Sequence, residues 1–441
     1  LEDILLENRP HTVAFDKEKC VGCTDCTKAC PTRAIRVRDG LATAMWELCI
    51  DCGECVRVCR YDAAISLTSS PTEVEKFKYK IAMPSPVLYT QFGRQVHPDK
   101  VLQALKVIGF DDVYDETWMC EMVSAAIDTY LTECRGPWPR ISTACPAIMR
   151  LITIRYPDLV EHFIPIIAPR ELAARDLKRK KAAELGLAEE EIGVFHITPC
   201  SAKAEAINDP LELTYSHLNG AISIREVFGP IAKALKTIDH VDVEHSFSPI
   251  GIGWAMSGGE IAGMRNENVL PVHGVRKTLE VLDRIDSRQF RNVDFLEMYL
   301  CPDGCISGPL TVAGRYEAQH TLALLIRHMA SQSHVKEEKV RSLYREDYFA
   351  FEREIKTRPI QPLAATITEG AAKAKERTAI FEQLPKKDCA ACGAPDCKTF
   401  ADDVIRGRAT LSDCVFVRLQ ELEEAANRKP SATTRRVTAN K

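Results

Sequence analysis

Residues 141–150 read ISTACPAIMR, with one cysteine, Cys145, set between Ala144 and Pro146 in an apolar, small-residue run. The surrounding PRISTACP, residues 139–146, reads as a strand entering a loop. Two further segments repeat that design. IGVFHITPC, residues 192–200, ends in Cys200, and NVDFLEMYLCPDGC, residues 292–305, ends in Cys301 and Cys305. Each of these loops also contains a proline. Thiols from three distant strand ends describe a cluster site at the centre of an α/β core. Buried, inert thiols are the plainer alternative.

Outward from these loops, strand-like and helical runs alternate. FKYKIAMPSPVLYT (77–90) reads as a strand then a loop, and DKVLQALKVIG (99–109) as a helix with a glycine stop. DDVYD (111–115) is strand-like, and ETWMCEMVSAAIDTYLTE (116–133) has helical spacing. HSFSPIGIGWAMSGGE (245–260) is expected to place a strand before a loop. The alternation predicts an α/β core on parallel sheet, with functional groups gathered at strand ends. After about residue 312 the pattern turns helical over 316–330, 339–355 and 367–384, with a break at TRPIQPL (357–363). RDLKRKKAAELGLAEEE (175–191) mixes charges at helical spacing and reads as a solvated face.

The 441 residues are 45% hydrophobic and 27% charged, with a formal net charge of −4. That describes a soluble globular protein and gives no reason to expect nucleic acid or an anionic membrane as partner. No apolar run approaches the ~18 residues that span a bilayer, and residues 1–10 lack a signal-peptide pattern. Eighteen cysteines, mostly in C-x-x-C clusters, favour metal ligation in a reducing cytoplasm over disulfides.

CVGCTDCTKACP (20–31) and CIDCGECVRVC (49–59) share the C-x2-C-x2-C-x3-C spacing of two-cluster ferredoxins, in which the fourth cysteine of each run serves the other cluster. The expected ligand sets are Cys20, Cys23, Cys26 and Cys59 for one 4Fe–4S cluster, and Cys49, Cys52, Cys55 and Cys30 for the second. Near the C-terminus, Cys389, Cys392, Cys397 and Cys414 form a third set. Its CGAPDCKTFA run resembles a small 4Fe–4S domain of anaerobic redox proteins, while a zinc tetrahedron would use similar spacing.

The three central loops resemble the signature segments of FeFe-hydrogenases: T-S-C-C-P, M-P-C-x-x-K and E-x-M-x-C-P-x-G-C. Here they stand as Ser142-Thr143-Ala144-Cys145-Pro146, Thr198-Pro199-Cys200-Ser201-Ala202-Lys203, and Glu297 through Cys305. The resemblance implies an H-cluster: a 4Fe–4S cube joined through one sulfur to a di-iron unit with CO, cyanide and an azadithiolate bridge. Cys145, Cys200, Cys301 and Cys305 would hold the cube, with Cys305 as the bridge. Lys203 would meet one cyanide by a charge-assisted hydrogen bond. Pro84-Ser85 matches a loop near the other cyanide, and Ser257-Gly258-Gly259 a loop close to the diatomic ligands.

The resemblance also implies what is missing. In prototypical members position 144 is a cysteine that takes the proton from the bridgehead amine and passes it to carboxylates. Ala144 has no titratable group. Glu121 is the candidate first relay glutamate, the second falls on Ser124, and two methionines are replaced by Thr198 and Tyr299. Glu121 or Cys120 is the candidate substitute path, against a packing role for each. Cys134 reads as structural, and His196 as a satisfied core histidine rather than a ligand. The pattern is similar to the divergent sensory branch of the family. That implies slow, reversible conversion of H2 to protons and electrons, with an unidentified redox or signalling partner, in an anaerobic cytoplasm. The alternative is a non-catalytic iron–sulfur protein of the same fold, working in cluster assembly or electron transfer.

The organisation expected is a two-cluster ferredoxin-like α+β domain (1–78) and a hydrogenase-like α/β domain of two parallel-sheet lobes around the central cluster (79–330). A helical linker (331–383), a C-terminal 4Fe–4S unit (384–420) and a disordered basic tail (421–441) follow.

Overall fold

The computed structural model describes residues 11–241, 245–329 and 335–427. It divides into two units: residues up to Lys19 with Trp46–Ile360, and Cys20–Met45 with the chain from Gln361 onward. The first four-cysteine run thus belongs to the smaller unit and the second run to the larger.

Strand Ile192–Thr198 organises the larger unit. Its seven residues, IGVFHIT, are all buried, as a strand covered on both faces requires. Full burial of a side chain such as Phe195 or Ile197 contributes about 1.5–3 kcal/mol. The strand pairs in parallel with Tyr79–Pro84 on one side (Ile81 opposite Val194) and with Gly220–Ser223 on the other (His196 opposite Ala221). The short strand Asp112–Val113 completes this four-stranded parallel sheet. Gly193 is needed where it stands, because a Cβ there would lie 2.6 Å from the Phe77 ring.

A second parallel sheet has Phe295–Tyr299 at its centre, between Val269–His273 and Arg140–Ile141. The two sheets are the two lobes expected. Helices Pro98–Val107, Thr117–Glu133, Pro146–Arg155, Pro169–Leu185 and Arg315–His328 are packed in this unit. Helix Pro169–Leu185 buries its first turns and exposes its charged second half.

Four local expectations change. Residues 245–260 hold no strand: Pro249 opens a short helix, Pro249–Gly253, capped where Ser248 Oγ accepts the Gly251 amide at 3.0 Å. Glycine decides this, since a Cβ on Gly251 would lie 1.8 Å from the Thr117 carbonyl oxygen. The loop after Pro84 is a 3-10 turn, Pro86–Thr90. The helix expected over 339–355 ends at Arg345, because Phe349 turns into the core and Ala350 bridges Ile166. Helix Val415–Asn427 runs into the expected tail, whose residues 428–441 lie outside the described residues, as do residues 1–10. Strands Gly220–Ser223 and Val269–His273 were not legible in the sequence.

In the smaller unit, strands Ile35–Arg38 and Leu41–Ala44 form an antiparallel hairpin. Helices Ile367–Gln383 and Cys397–Ile405 pack through Ile380, Leu384 and the buried Phe400.

Candidate metal centre

All three cysteine loops leave the carboxyl ends of parallel strands: Arg140–Ile141, Ile192–Thr198 and Phe295–Tyr299. Cys145 directly precedes helix Pro146–Arg155, and Cys200 directly precedes helix Ser201–Asn208. Both thiols therefore face the positive end of a helix, which favours the thiolate. Thr198 Oγ1 accepts the Cys200 amide at 3.2 Å, which fixes that loop. Between Cys301 and Cys305 the chain turns at Gly304, whose φ is +93° and whose Cβ would meet the Ser257 nitrogen at 2.5 Å. Only glycine fits there.

The four sulfurs are brought together, with Cys145 and Cys200 buried and Cys301 and Cys305 half-buried. Burial pushes the Cys145 thiol up to about 12, and the neighbouring Cys200 and Cys305 add to it. Burial also raises Cys200, with Cys305 adding, while amides of Lys203 and Ala202 oppose. It carries Cys301 well above its ordinary value, against the pull of Arg57. Four crowded thiolates, two of them buried and two half-buried, are unfavourable unless a cationic cluster neutralises them, so the donor set fits an iron–sulfur cube.

Beside Cys305 lies a partly open cavity. Ala144, Cys120, Lys203, Glu116, Arg170 and Tyr299 line it, with Ser85 and Trp254. Burial works against the Lys203 ammonium, but Cys305 and Glu116 outweigh it and raise its pKa. Glu116 Oε2 and Arg170 Nε are buried here without a hydrogen-bond partner. Two cations, one of them with an unpaired guanidinium donor, next to a cluster cysteine suit small anionic ligands such as cyanide. The cavity therefore fits the di-iron unit that the resemblance implies.

The other expected residues fall in different places. Ser85 reaches the cavity, whereas Pro84, Ser257 and Gly258 are not among its lining residues. The Gly258 amide instead donates to Glu297 Oε1 at 2.6 Å, and Ser257 Oγ is buried without a partner. Glu121 is buried on helix Thr117–Glu133, and its carboxylate accepts the Ser248 hydroxyl rather than lining the cavity. Ser124 accepts Trp254 Nε1 at 3.0 Å and donates to the Glu260 carbonyl at 2.9 Å. His196 is fully buried with both ring nitrogens unpaired, which corrects its reading as a satisfied histidine. Its Nε2 lies 3.6 Å from Glu116 Oε1, and burial lowers its pKa. Cys134 accepts Arg140 Nε at 3.0 Å, a structural contact.

Sequence reasoning missed a buried carboxylate pair. Ser142 Oγ donates to Glu260 Oε1 and Oε2 at 2.9 and 2.8 Å, and accepts the Ala144 amide at 3.2 Å. Glu297 accepts the amides of Gly258 and Ile261. Burial raises both carboxyls, and Glu297 raises Glu260 further. Two such groups share a proton rather than both ionise. Glu297 stood in the quoted E-x-M motif, but nothing in the spacing paired it with Glu260. Glu116 and Arg170 gave no signal at all.

In the larger unit the second cysteine run packs under the same loops. Ile50 and Cys52 share an apolar cluster with Cys145, Cys200 and Leu300. Gly53 permits this, since a Cβ there would meet Pro309 at 2.5 Å and Ser201 at 2.8 Å. Arg57 pairs with Glu54 (Nη2 to Oε1, 3.1 Å), and Cys301 and Glu54 hold it protonated against its burial. His11 Nδ1, Cys49 Sγ and an Asp51 oxygen lie within 4.8 Å of one another. Asp51 is already engaged by His11 and the amides of Thr12 and Val13, so it serves as a hydrogen-bonded anchor. In the smaller unit burial, with Cys23 and Cys20, pushes Cys26 up to about 11. Cys389, Cys392, Cys397 and Cys414 all line one cavity of about 320 Å³. Both groups have the crowded-thiol character of iron–sulfur sites.

Among the described residues no helix is long and apolar enough to cross a membrane.

The family model for the iron-only hydrogenase large subunit, C-terminal domain, matches residues 78–250 and 253–309, just over half of the chain. A 4Fe-4S dicluster domain model matches residues 12–60, and an Fe-S cluster model matches residues 384–416. The chain is similar to the periplasmic Fe hydrogenase large subunit of Nitratidesulfovibrio vulgaris, at 24% identity over 68% of this chain and 86% of that protein. It is also similar to the NADP-reducing hydrogenase subunit HndD of Solidesulfovibrio fructosivorans, at 24% identity over 44% of this chain and 39% of that protein. Among solved structures, the FeFe-hydrogenase HydA1 of Chlamydomonas reinhardtii aligns with a TM-score of 0.48 and 14% identity, over 66% of this chain and 98% of that one. From the match of its central residues, the chain belongs to the iron-only hydrogenase large-subunit family.

Proposed function

We propose that the chain binds an H-cluster and interconverts H2 with protons and electrons slowly, as a sensory hydrogenase. The observation that carries this is the cavity beside Cys305: it keeps Lys203, while Ala144 stands where prototypical members have a proton-relay thiol. Cys145, Cys200, Cys301 and Cys305 would hold the cube, and Lys203 and Arg170 would meet the anionic ligands of the di-iron unit. When bound, that unit would supply the open coordination position at which H2 is formed or split.

The residues around it handle the proton. Ala144 offers no acceptor, so the route would run behind the cavity lining to the Ser142 hydroxyl, which accepts the Ala144 amide. Ser142 exchanges the proton with Glu260 through the bonds at 2.9 and 2.8 Å. Glu297 is held by two amides, and its charge raises the affinity of Glu260 for the proton that Ser142 delivers or takes back. A step about 4 kcal/mol harder than a thiol relay slows turnover about a thousandfold, which suits a sensor.

Residues 79–330 carry this chemistry, and the cysteine sets of 1–78 and 384–420 carry single electrons to a redox or signalling protein. The work belongs to a reducing, anaerobic cytoplasm. The test is isotope exchange: matured protein given D2 in ordinary water should release HD slowly. No HD above a control that holds cubes alone, at full iron content, would instead support a non-catalytic iron–sulfur protein.

A further inference from the structure

Two cysteine runs of the smaller unit grip one hairpin from opposite strands. On strand Leu41–Ala44, the Ala42 amide donates to Cys20 Sγ at 3.4 Å. Ala42 is the cross-strand partner of Val37. On strand Ile35–Arg38, the Val37 amide donates to the Gly393 carbonyl at 3.0 Å, next to Cys392. Arg38 Nη1 donates to the Cys392 carbonyl itself. Paired strands lie about 5 Å apart, so a hairpin's width separates the hydrogen bonds to the two runs.

The fit at both ends depends on glycine. Gly22, with φ +65°, brings the Cys20–Cys23 turn against the hairpin tip, and a Cβ there would lie 2.7 Å from the Gly40 oxygen. Gly393, with φ +79°, does the same on the other side, where a Cβ would lie 1.7 Å from the Val37 oxygen. A buried ion pair then locks the arrangement. Arg36 Nη2 donates to Asp403 Oδ1 at 2.9 Å and Arg36 Nε to Oδ2, with Arg36 8% and Asp403 2% exposed. This is the two-pronged pairing that fixes orientation as well as distance. Arg33 and Asp396 add a pair at 3.1 Å. Asp403 lies on the helix that begins at Cys397, so the pair fastens the C-terminal cysteine set directly to the hairpin.

We propose that the C-terminal four-cysteine site holds a 4Fe–4S cluster wired in series with the cluster of Cys20, Cys23 and Cys26, as the outer relay for electrons. It is not a separately tethered output module. The step is a one-electron exchange: the reduced cluster gives up one electron, the oxidised neighbour takes it, and no proton or bond moves. Cys389 is exposed, as is Cys23, so a one-electron carrier such as a reduced viologen can meet the pair from either end.

The test is electron paramagnetic resonance of the dithionite-reduced full chain carrying its cubes, which needs no di-iron unit and so stands apart from the hydrogenase reading. Cys397→Ala should lose about four iron atoms per chain and one signal. In the parent protein that signal should be broadened and hard to saturate with microwave power. In Cys23→Ala, which disrupts the neighbouring cluster, it should narrow and saturate readily. Arg36→Gln should keep both signals and weaken their interaction, which guards against misfolding of the cysteine variants. An unchanged iron content in Cys397→Ala would overturn the proposal. So would a C-terminal signal whose width and saturation are the same in the parent, Cys23→Ala and Arg36→Gln proteins.

Discussion

Ser142 Oγ donates to both carboxylate oxygens of Glu260, at 2.9 and 2.8 Å, while accepting the amide of Ala144. The serine thus joins the residue that lost its thiol to a buried acid. If protons leave by this route, Glu260→Gln keeps the volume and the hydrogen bond but removes the titrating group. H2 turnover should fall about a hundredfold, the usual scale of a lost acid–base group. The cube's paramagnetic signal should stay unchanged, and unaltered turnover would discard the route.

Ala144→Cys places a thiol at the cavity wall, two residues from Ser142. It should raise turnover in the parent background, by up to about the thousandfold assigned to the missing relay, because the thiol shortens the first transfer. In Glu260→Gln the same change should give little, since Ser142 would have nowhere to send the proton. Steady-state rates of the four combinations form a double-mutant cycle that reads this coupling. Equal gains in both backgrounds would separate Ala144 from Glu260.

The carboxylate pair also sets a pH dependence of stability. Burial raises Glu260 and Glu297 above the usual carboxylate range, and the charge of Glu297 adds to the rise at Glu260. Their contribution is therefore fully present below the unfolded value of about 4.3 and is lost as pH rises through the folded values. The thermal midpoint should decline between about pH 5 and 8, and the decline should be shallower in Glu260→Gln. The two profiles should therefore draw apart as pH rises through that range. Parallel profiles, followed by calorimetry across that range, would contradict the shared proton.

Arg57 tunes the cube in the same way that a fixed charge tunes any redox centre. Its guanidinium is buried beside Cys301 and braced by Glu54. A cation next to a ligating sulfur favours the reduced, more negative cluster. Arg57→Gln should lower the cube's potential by about 60 mV, the equivalent of about 1.4 kcal/mol for a one-electron couple. A redox titration of protein carrying cubes alone would show it, and an unmoved midpoint would remove Arg57 from this role.

Much of this was legible because cysteine and proline punctuate the chain where strands end. The central four cysteines and the alternation of elements followed from local spacing, whereas Lys203 came only from the resemblance to the family's M-P-C-x-x-K segment. The Glu260–Glu297 pair did not, because residues 37 positions apart meet only when the 245–260 segment folds back over strand Phe295–Tyr299. Segment 245–260 misled because its apolar residues suit a strand, while Gly251 serves close approach to helix Thr117–Glu133 and Gly259 close approach to Gly253. Glu121 matched a relay position by alignment of motif, yet its carboxylate is engaged by Ser248. Spacing gives neighbours along the chain, not which face a buried acid turns to.

The central claim is that the cavity beside Cys305 houses a di-iron unit. An infrared spectrum of anaerobically matured protein, recorded before and after H2 is admitted, tests it most directly. Sharp CO and cyanide bands that shift on adding H2, and that move in Lys203→Ala, are expected. Absence of those bands, with all cubes loaded and a matured control hydrogenase showing them, would leave the cavity without its cofactor and the protein an electron carrier of hydrogenase fold.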